Sequence, residues 1–135
     1  MTAISTRLNE STDSLLRFAM RADAILTGLA GVAGVPLAGW LADVSGTTPA
    51  IEYSLAAFFI AYGIVVFGLS TLPSVRVPGI AVIIANLLYT VAAVAVVLTD
   101  VWTMTTLGVV LTLATGVYTA VFAELQYTGL RRMKA

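Results

Sequence analysis

Four long stretches of this chain consist of apolar and small uncharged residues, and the charged residues fall between them. Positions 24–42, 53–75, 77–99 and 101–123 contain no charged side chain. A helix of about 20 apolar residues crosses the hydrocarbon core of a bilayer. The pattern therefore predicts an all-α membrane protein. It is a four-transmembrane-helix bundle in a single domain over residues 1–135, with spans at approximately 22–44, 50–72, 78–99 and 103–127.

Polar residues and prolines predict where the helices begin and break. Residues 1–13 are polar and lack periodicity, which predicts a flexible tail, and Ser14 is suited to cap helix one. Pro36 is expected to kink or end that helix because proline lacks a backbone N–H. The apolar stretch continues past Pro36, which favours an uncleaved span over a cleavable signal peptide. Thr48 and Pro49 predict the start of helix two.

The charges between the stretches alternate in sign and predict an orientation. The basic residues lie before the first span, between the second and third, and after the fourth: Arg7, Arg17, Arg21, Arg76, Arg131, Arg132 and Lys134. The other two connections carry only acids, namely Asp43, Glu52 and Asp100, which are interpreted as ordinary loop charges. Because Lys and Arg are retained on the cytoplasmic side, both termini are predicted to be cytoplasmic.

Composition narrows the possible functions. The chain is 59% hydrophobic and 10% charged, whereas a soluble domain carries about 25% charged residues, so lipid is expected to be its main solvent. It contains no cysteine and no histidine, which removes thiol chemistry, the commonest metal ligand and the usual general base. We therefore predict no catalytic residue, no cofactor and no metal site. The basic residues are too sparse to predict nucleic-acid binding.

Small residues predict which helix faces pack together, because they let membrane helices approach closely. At about 100° per residue, one face of helix four gathers Thr105, Gly108, Thr112, Thr115, Gly116, Thr119, Ala123 and Gln126. Similar seams are Ser54, Ala57, Ala61 and Gly68 in helix two, and Ala81, Ala85 and Ala92 in helix three. Gly28, Gly31 and Gly34 give helix one two small faces, so it is predicted to lie centrally. These glycines serve close packing within the chain or a homodimer interface.

A few polar residues within or beside the spans form the candidate intramembrane site: Asp23, Asn86, Glu124, Gln126 and Arg21. An ionisable residue in a membrane segment is expensive and by default indicates function. One hypothesis is a polar pocket, with Tyr89 or Tyr118 above it, that carries a proton or binds a cation. The alternative is that Asp23 and Glu124 pair with neighbouring arginines and only fix the helix register.

Two segments carry a resemblance to a known family. The segments are RADAILTGLAG at 21–31 and FAELQYTGLRR at 122–132, and Asn86 fits the same pattern. Together they resemble small four-helix integral membrane proteins of actinobacteria, over nearly the whole length. In size and layout the chain is more loosely similar to DoxX-like proteins and to small multidrug-resistance transporters. These transporters rely on a glutamate within helix one. In this chain the nearest acid to that position is Asp23. The resemblance implies the architecture and a bacterial plasma membrane location.

These observations predict a non-enzymatic multi-pass membrane protein. It is either an accessory or assembly subunit or a small lipid- or ligand-binding bundle. Its expected partners are the lipid bilayer and either further copies of itself or another membrane protein. The alternative is a minimal proton-coupled transporter of small hydrophobic or cationic solutes that acts as a homodimer. A lipid-modifying enzyme that uses Asp23 and Glu124 is the least favoured hypothesis.

Overall fold

Four helices make up the fold. The computed structural model describes the backbone of residues 2–133 and the side chains of residues 12–133. The helices are α1 (Thr2–Ser45), α2 (Pro49–Leu69), α3 (Arg76–Thr99) and α4 (Thr106–Arg131). All four are long and apolar enough to span a membrane, which confirms the predicted all-α class and the number of spans.

The helices run antiparallel, so the two ends of the bundle are easily distinguished. The proximal end holds the early part of α1 and the end of α4, where Leu16 contacts Gly129. The distal end holds the α1–α2 and α3–α4 loops, where Ser45 contacts Gly108. Large apolar side chains are exposed along the bundle between these ends, for example Ile64 at 70%. Such a surface suits lipid rather than water as a solvent.

Helix ends agree with the sequence in some places and depart from it in others. Thr48 caps α2 as predicted, accepting from the Ile51 N–H at 3.3 Å, and Pro49 is the first helical residue. Helix α1 is already helical from Thr2, so it begins before Ser14; the flexibility of the first residues stays a prediction. It also continues through Pro36 without ending.

Gly129 lies inside α4 and packs against α1. Helix α4 continues past it to Arg131, so Gly129 does not end the helix. A Cβ at this position would lie 2.6 Å from the Leu16 amide nitrogen. The glycine is therefore required for close packing of α4 on α1. At the distal end Gly108 packs equally closely against the Ser45 backbone.

Helices α1 and α2 pack backbone to backbone through glycines. Gly28 and Gly63 face each other, and a Cβ on Gly63 would lie 2.7 Å from the Ala24 carbonyl oxygen and 2.9 Å from the Gly28 Cα. A Cβ on Gly31 would lie 2.6 Å from the Ala56 carbonyl oxygen. These close approaches are consistent with the predicted packing role of Gly28 and Gly31 within one chain. The close approach follows from the small residues on both helices.

Helix α1 occupies the central position that its two small faces predicted. It packs against α2 and α4 and also touches α3, while α3 packs mainly on α4. Helices α2 and α3 hardly approach each other. Long side chains connect them, including the rings of Phe59 and Tyr89, whose centroids are 6.0 Å apart. The bundle therefore has one loosely closed side.

The predicted faces are right for α4 and wrong for α2. The buried residues of α4 are Gly108, Gly116, Thr119, Ala123, Gln126 and Gly129, while Val117 and Val121 on the opposite face are exposed. Thr112 is half-buried. The buried residues of α2 are Ala56, Gly63 and Val66, and the predicted seam of Ser54, Ala57, Ala61 and Gly68 is exposed. Ala81, Ala85 and Ala92 of α3 are exposed as well, and Gly79, Val82, Ile83, Asn86 and Ala93 are its buried residues.

Replacing Gly63 with alanine is expected to push α1 and α2 apart, because its Cβ would meet backbone atoms that cannot move independently. We expect Gly63→Ala to destabilise the fold by about 1–3 kcal/mol, the range for overpacking. Thermal unfolding in a mild detergent measures the effect. Gly68→Ala is the matched control on the same helix, because nothing lies within 4 Å of its new Cβ. Equal unfolding temperatures for the two variants would contradict the prediction.

Candidate functional site

The carboxylate of Asp23 lies at the centre of a hydrogen-bond cluster to which all four helices contribute. Its side chain is fully buried, as is that of Gln126, and Asn86 is 2% exposed. We call Asp23, Thr27, Tyr62, Asn86, Tyr118 and Gln126 the Asp23 cluster. The sequence prediction that Asp23, Asn86 and Gln126 lie together is therefore consistent with the structure.

Three helices donate to one oxygen of this carboxylate. Asp23 Oδ2 accepts from the Tyr62 hydroxyl at 2.8 Å, from Asn86 Nδ2 at 2.9 Å and from Gln126 Nε2 at 3.0 Å. These donors come from α2, α3 and α4 respectively. Hydrogen bonds to a charged group contribute about 1.5–3 kcal/mol each, roughly twice a neutral one. This single oxygen thus fixes the position of three helices relative to α1.

The other oxygen is occupied by hydroxyl groups. Asp23 Oδ1 accepts from Thr27 Oγ1 at 3.0 Å and from the Tyr118 hydroxyl at 3.2 Å. The Thr27 and Tyr118 hydroxyls are themselves 2.9 Å apart. With both oxygens accepting, Asp23 has little remaining capacity to accept from a further ligand. Tyr118 lies beside the carboxylate, as one of the two sequence alternatives proposed.

The surrounding groups also bind one another. Asn86 Nδ2 donates to Gln126 Oε1 at 2.9 Å as well as to Asp23, and the Tyr62 hydroxyl lies 3.2 Å from Asn86 Oδ1. Asn86 therefore links α2, α4 and α1 through its amide. Buried polar groups are costly unless they are fully partnered, and this cluster meets that requirement with uncharged donors.

Arg21 lies outside the cluster. Its guanidinium donates to the Ser70 hydroxyl at 3.2 Å and to the Ser70 carbonyl at 3.3 Å. Arg17 donates to the carbonyls of Ser70, Leu72 and Pro73. Both arginines therefore stabilise the carbonyl end of α2, where a positive charge is favourable. Inclusion of Arg21 in the polar site was wrong, because residue 21 points away from residue 23 on the helix.

Among the side chains of residues 12–133, no arginine pairs with Asp23. Within residues 12–133 the one ion pair joins Arg17 to Asp13, with a nitrogen–oxygen distance of 3.0 Å. Glu124, the other predicted acid of the site, is exposed and outside the cluster. The hypothesis that Asp23 and Glu124 pair with arginines to fix the helix register is therefore wrong for the described side chains. Asp23 does fix the helices, but through neutral donors.

A large open cavity lies on the distal side of the Asp23 cluster. Its volume is about 620 Å³, and its floor includes Thr27, Tyr62, Asn86 and Tyr118. Apolar and aromatic side chains form most of its walls, which come from all four helices: Ala30, Leu55, Phe59, Ala92 and Leu111. Because α2 and α3 hardly approach each other, the cavity lies at the loosely closed side of the bundle.

The proximal end is closed beneath this floor. Leu16 and Met20 are fully buried there and pack with Val66, Val75 and Val82 in one apolar cluster. The cavity is therefore a dead end with apolar walls and a polar floor. Among the described residues, no group of three or more His, Cys, Asp or Glu side chains is placed to hold a metal ion. The arrangement can hold an amphiphilic molecule by packing and hydrogen bonding.

Sequence reasoning missed three residues of this site. Tyr62 and Thr27 belong to the Asp23 cluster, and Glu52, interpreted as a loop charge, lies in α2 and lines the distal mouth of the cavity. The register of the α1–α2 hairpin does not indicate Tyr62, because the residue as far from the turn as Asp23 lies near Ser70, where Arg21 binds. Glu52 could have been placed by its position in the first turn after Pro49.

Comparison with known proteins gives no relative: no protein-family model, no curated protein and no solved structure matches the chain. The resemblance to small actinobacterial membrane proteins therefore stays a prediction. The Asp23 cluster and the cavity are the observations on which a function can be proposed.

Replacing Asp23 with asparagine is expected to destabilise the bundle. The new amide would place a donor among Tyr62, Asn86 and Gln126, which already donate to this position. Unsatisfied buried donors cost about 1–3 kcal/mol each, so we expect a loss of roughly 3 kcal/mol, measured by thermal unfolding. Asp43→Asn, an exposed acid on the same helix, is the control. An Asp23→Asn protein as stable as this control would contradict the structural role.

Proposed function

We propose that this protein is a non-enzymatic membrane protein that binds a small amphiphilic molecule inside its four-helix bundle. The observation that supports the proposal is the dead-end cavity of about 620 Å³ with apolar walls and a polar floor. Small-molecule sites occupy about 300–1,000 Å³ and combine apolar walls with a few oriented polar groups. The apolar part of the ligand packs between α2 and α3, and its polar part meets the hydroxyl and amide groups of the floor.

The loosely closed side of the bundle supports a lateral route of entry. Helices α2 and α3 are joined by side chains such as Phe59 and Tyr89, which can change rotamer without moving a helix. Ala85 and Ala92 line the cavity and are exposed, so they present little steric obstruction there. A hydrophobic molecule dissolved in the bilayer would reach the cavity through this side.

The other predicted functions have less support. A proton-coupled transporter needs a carboxylate that exchanges its partners, and the two oxygens of Asp23 accept five hydrogen bonds. It also needs the apolar cluster at Leu16 and Met20 to open. A role as an accessory subunit or a homo-oligomer stays a prediction, and it is compatible with ligand binding.

We place the protein in a bacterial plasma membrane with both termini cytoplasmic. The basic residues Arg17, Arg21, Arg76 and Arg131 lie at the proximal end. The acids Asp43, Glu52 and Asp100 lie at the distal end. Retention of basic residues in the cytoplasm supports this orientation.

Filling the cavity is expected to weaken ligand binding. Ala92→Phe places a ring inside the cavity, and we expect it to weaken binding by at least about tenfold, equivalent to about 1.4 kcal/mol. The probe is the neutral fluorophore N-phenyl-naphthylamine, added to protein in lipid nanodiscs. Energy transfer from Trp102, which lines the cavity, reports binding once the exposed Trp40 is replaced by phenylalanine.

Ala95→Phe is the matched control for this experiment. Ala95 is also an exposed alanine of α3, but it does not line the cavity. A loss of energy transfer that Ala95→Phe also shows therefore comes from probe that has merely partitioned into the surrounding lipid. The proposal is wrong if saturable energy transfer is absent, or if Ala92→Phe and Ala95→Phe reduce it equally.

Single cysteines will test the orientation, because the chain has none of its own. Val101→Cys lies in the exposed distal loop and Ser74→Cys in the exposed proximal loop. In intact cells we expect a membrane-impermeant maleimide to label Val101→Cys and to label Ser74→Cys only after permeabilisation. The reverse pattern would place the termini outside the cytoplasm.

A further inference from the structure

Glu52 provides a carboxylate at the distal mouth of the cavity. It lies in the first turn of α2, is half-buried, and accepts a hydrogen bond from Thr47 Oγ1 to its Oε2 at 2.6 Å. Within residues 12–133, no basic side chain pairs with it and its second oxygen accepts no hydrogen bond. The carboxylate is therefore oriented by Thr47 and still able to bind a further group.

The charges around the cavity favour a positive ligand over a negative one. Glu52 is the one charged residue among those that line the cavity. Arg17 and Arg21 lie at the proximal end, do not line the cavity, and donate to carbonyls around Ser70. Asp23 lies beneath the floor and adds negative charge, although its oxygens are occupied. A charge in a partly desolvated cleft acts more strongly than the same charge in bulk water.

Aromatic side chains stand beside the same mouth. Trp102 lines the cavity, and together with Ile51 and Leu55 of α2 it also lines a smaller pocket. Phe58 and Phe59 line the wall one or two turns deeper. The face of an aromatic ring attracts a cation, most strongly for tryptophan, and contributes about 0.5–2 kcal/mol depending on solvation. A carboxylate and aromatic faces at one opening are a suitable environment for a hydrophobic cation.

We infer that the ligand is a hydrophobic organic cation. Its positive charge lies at the distal mouth, between Glu52 and Trp102, and its apolar body fills the cavity towards Tyr62. This inference rests on the proposed ligand-binding function and specifies its chemical class. It assigns the counter-charge to Glu52 and leaves Asp23 as the residue that holds the helices together.

Three probes of nearly the same shape and different charge test the inference. Tetraphenylphosphonium, tetraphenylsilane and tetraphenylborate are cationic, neutral and anionic, and none of them donates a hydrogen bond. Each is titrated against bound N-phenyl-naphthylamine in nanodiscs of zwitterionic lipid. We expect the phosphonium to displace the fluorophore at a concentration about tenfold below that of the silane, with the borate weakest.

Glu52→Gln should remove this preference while keeping the hydrogen bond from Thr47. The phosphonium and the silane should then displace the fluorophore at similar concentrations. Asp100→Asn is the matched control: it removes the same charge from the distal end without altering the cavity lining. Asp100 has a φ of 52°, a conformation that asparagine adopts readily, so the loop is preserved. This control should retain the tenfold preference.

The outcomes separate this inference from the proposed function. If the fluorophore binds but the silane or the borate competes as well as the phosphonium, the ligand is not a cation and the binding function stands. If the phosphonium preference persists in Glu52→Gln, the assignment of the counter-charge is wrong. If the fluorophore itself fails to bind the unmodified protein, both the inference and the proposed function are overturned.

Discussion

The structure depends on a single buried carboxylate that accepts hydrogen bonds from every helix. Asp23 receives one donor from its own helix and the remainder from α2, α3 and α4. Apolar packing alone distinguishes poorly between helix arrangements in a bilayer, because lipid chains are as apolar as leucine. A polar group that needs several partners has few satisfactory arrangements. Asp23 therefore gives this bundle a specific structure that its apolar surfaces could not specify by themselves.

The same cluster explains why a cavity exists beside it. Glycine contacts bring α1 close to α2, and α4 close to α1, so these three helices form a compact row. Helix α3 follows α4, and its connection to α2 runs through Tyr62, Asn86, Phe59 and Tyr89. Side chains of this length hold two helices apart as well as together. The space between α2 and α3 on the distal side is a consequence of that spacing.

The sequence predicted the features that depend on the membrane and missed those that depend on shape. Charge-free stretches predicted the four helices. The packing face of α4 was predicted correctly because the opposite face of that helix carries large residues such as Val117 and Val121. In α2 both faces are apolar, and small residues occur on all sides of the helix. The pattern therefore did not distinguish Gly63 from Ser54 or Gly68 as the residue that packs against another helix. Either face of α2 could contact lipid. The face that is buried is the one on which Gly63 fits against Gly28 of α1.

The candidate site was predictable in its amides and its acid but not in its hydroxyl groups. Asn86 and Gln126 are conspicuous because uncompensated amides are costly in hydrocarbon. Tyr62 is not conspicuous, because a tyrosine suits lipid, an interface and a polar cluster equally well. Glu52 was misplaced because its charge was taken as a topology signal alone. Whether a charge at the boundary faces water or a cavity depends on the packing of the neighbouring helices.

The order of the Asp23 donors along the chain has a consequence for how the protein is made. Thr27 is synthesised soon after Asp23, Tyr62 and Asn86 follow with α2 and α3, and Tyr118 and Gln126 come with α4. Until α4 has entered the membrane, the carboxylate lacks two of its five partners. Every nascent or truncated chain without α4 thus exposes a polar defect that the finished protein conceals. A cell that monitors membrane insertion could distinguish complete from incomplete copies by this one residue.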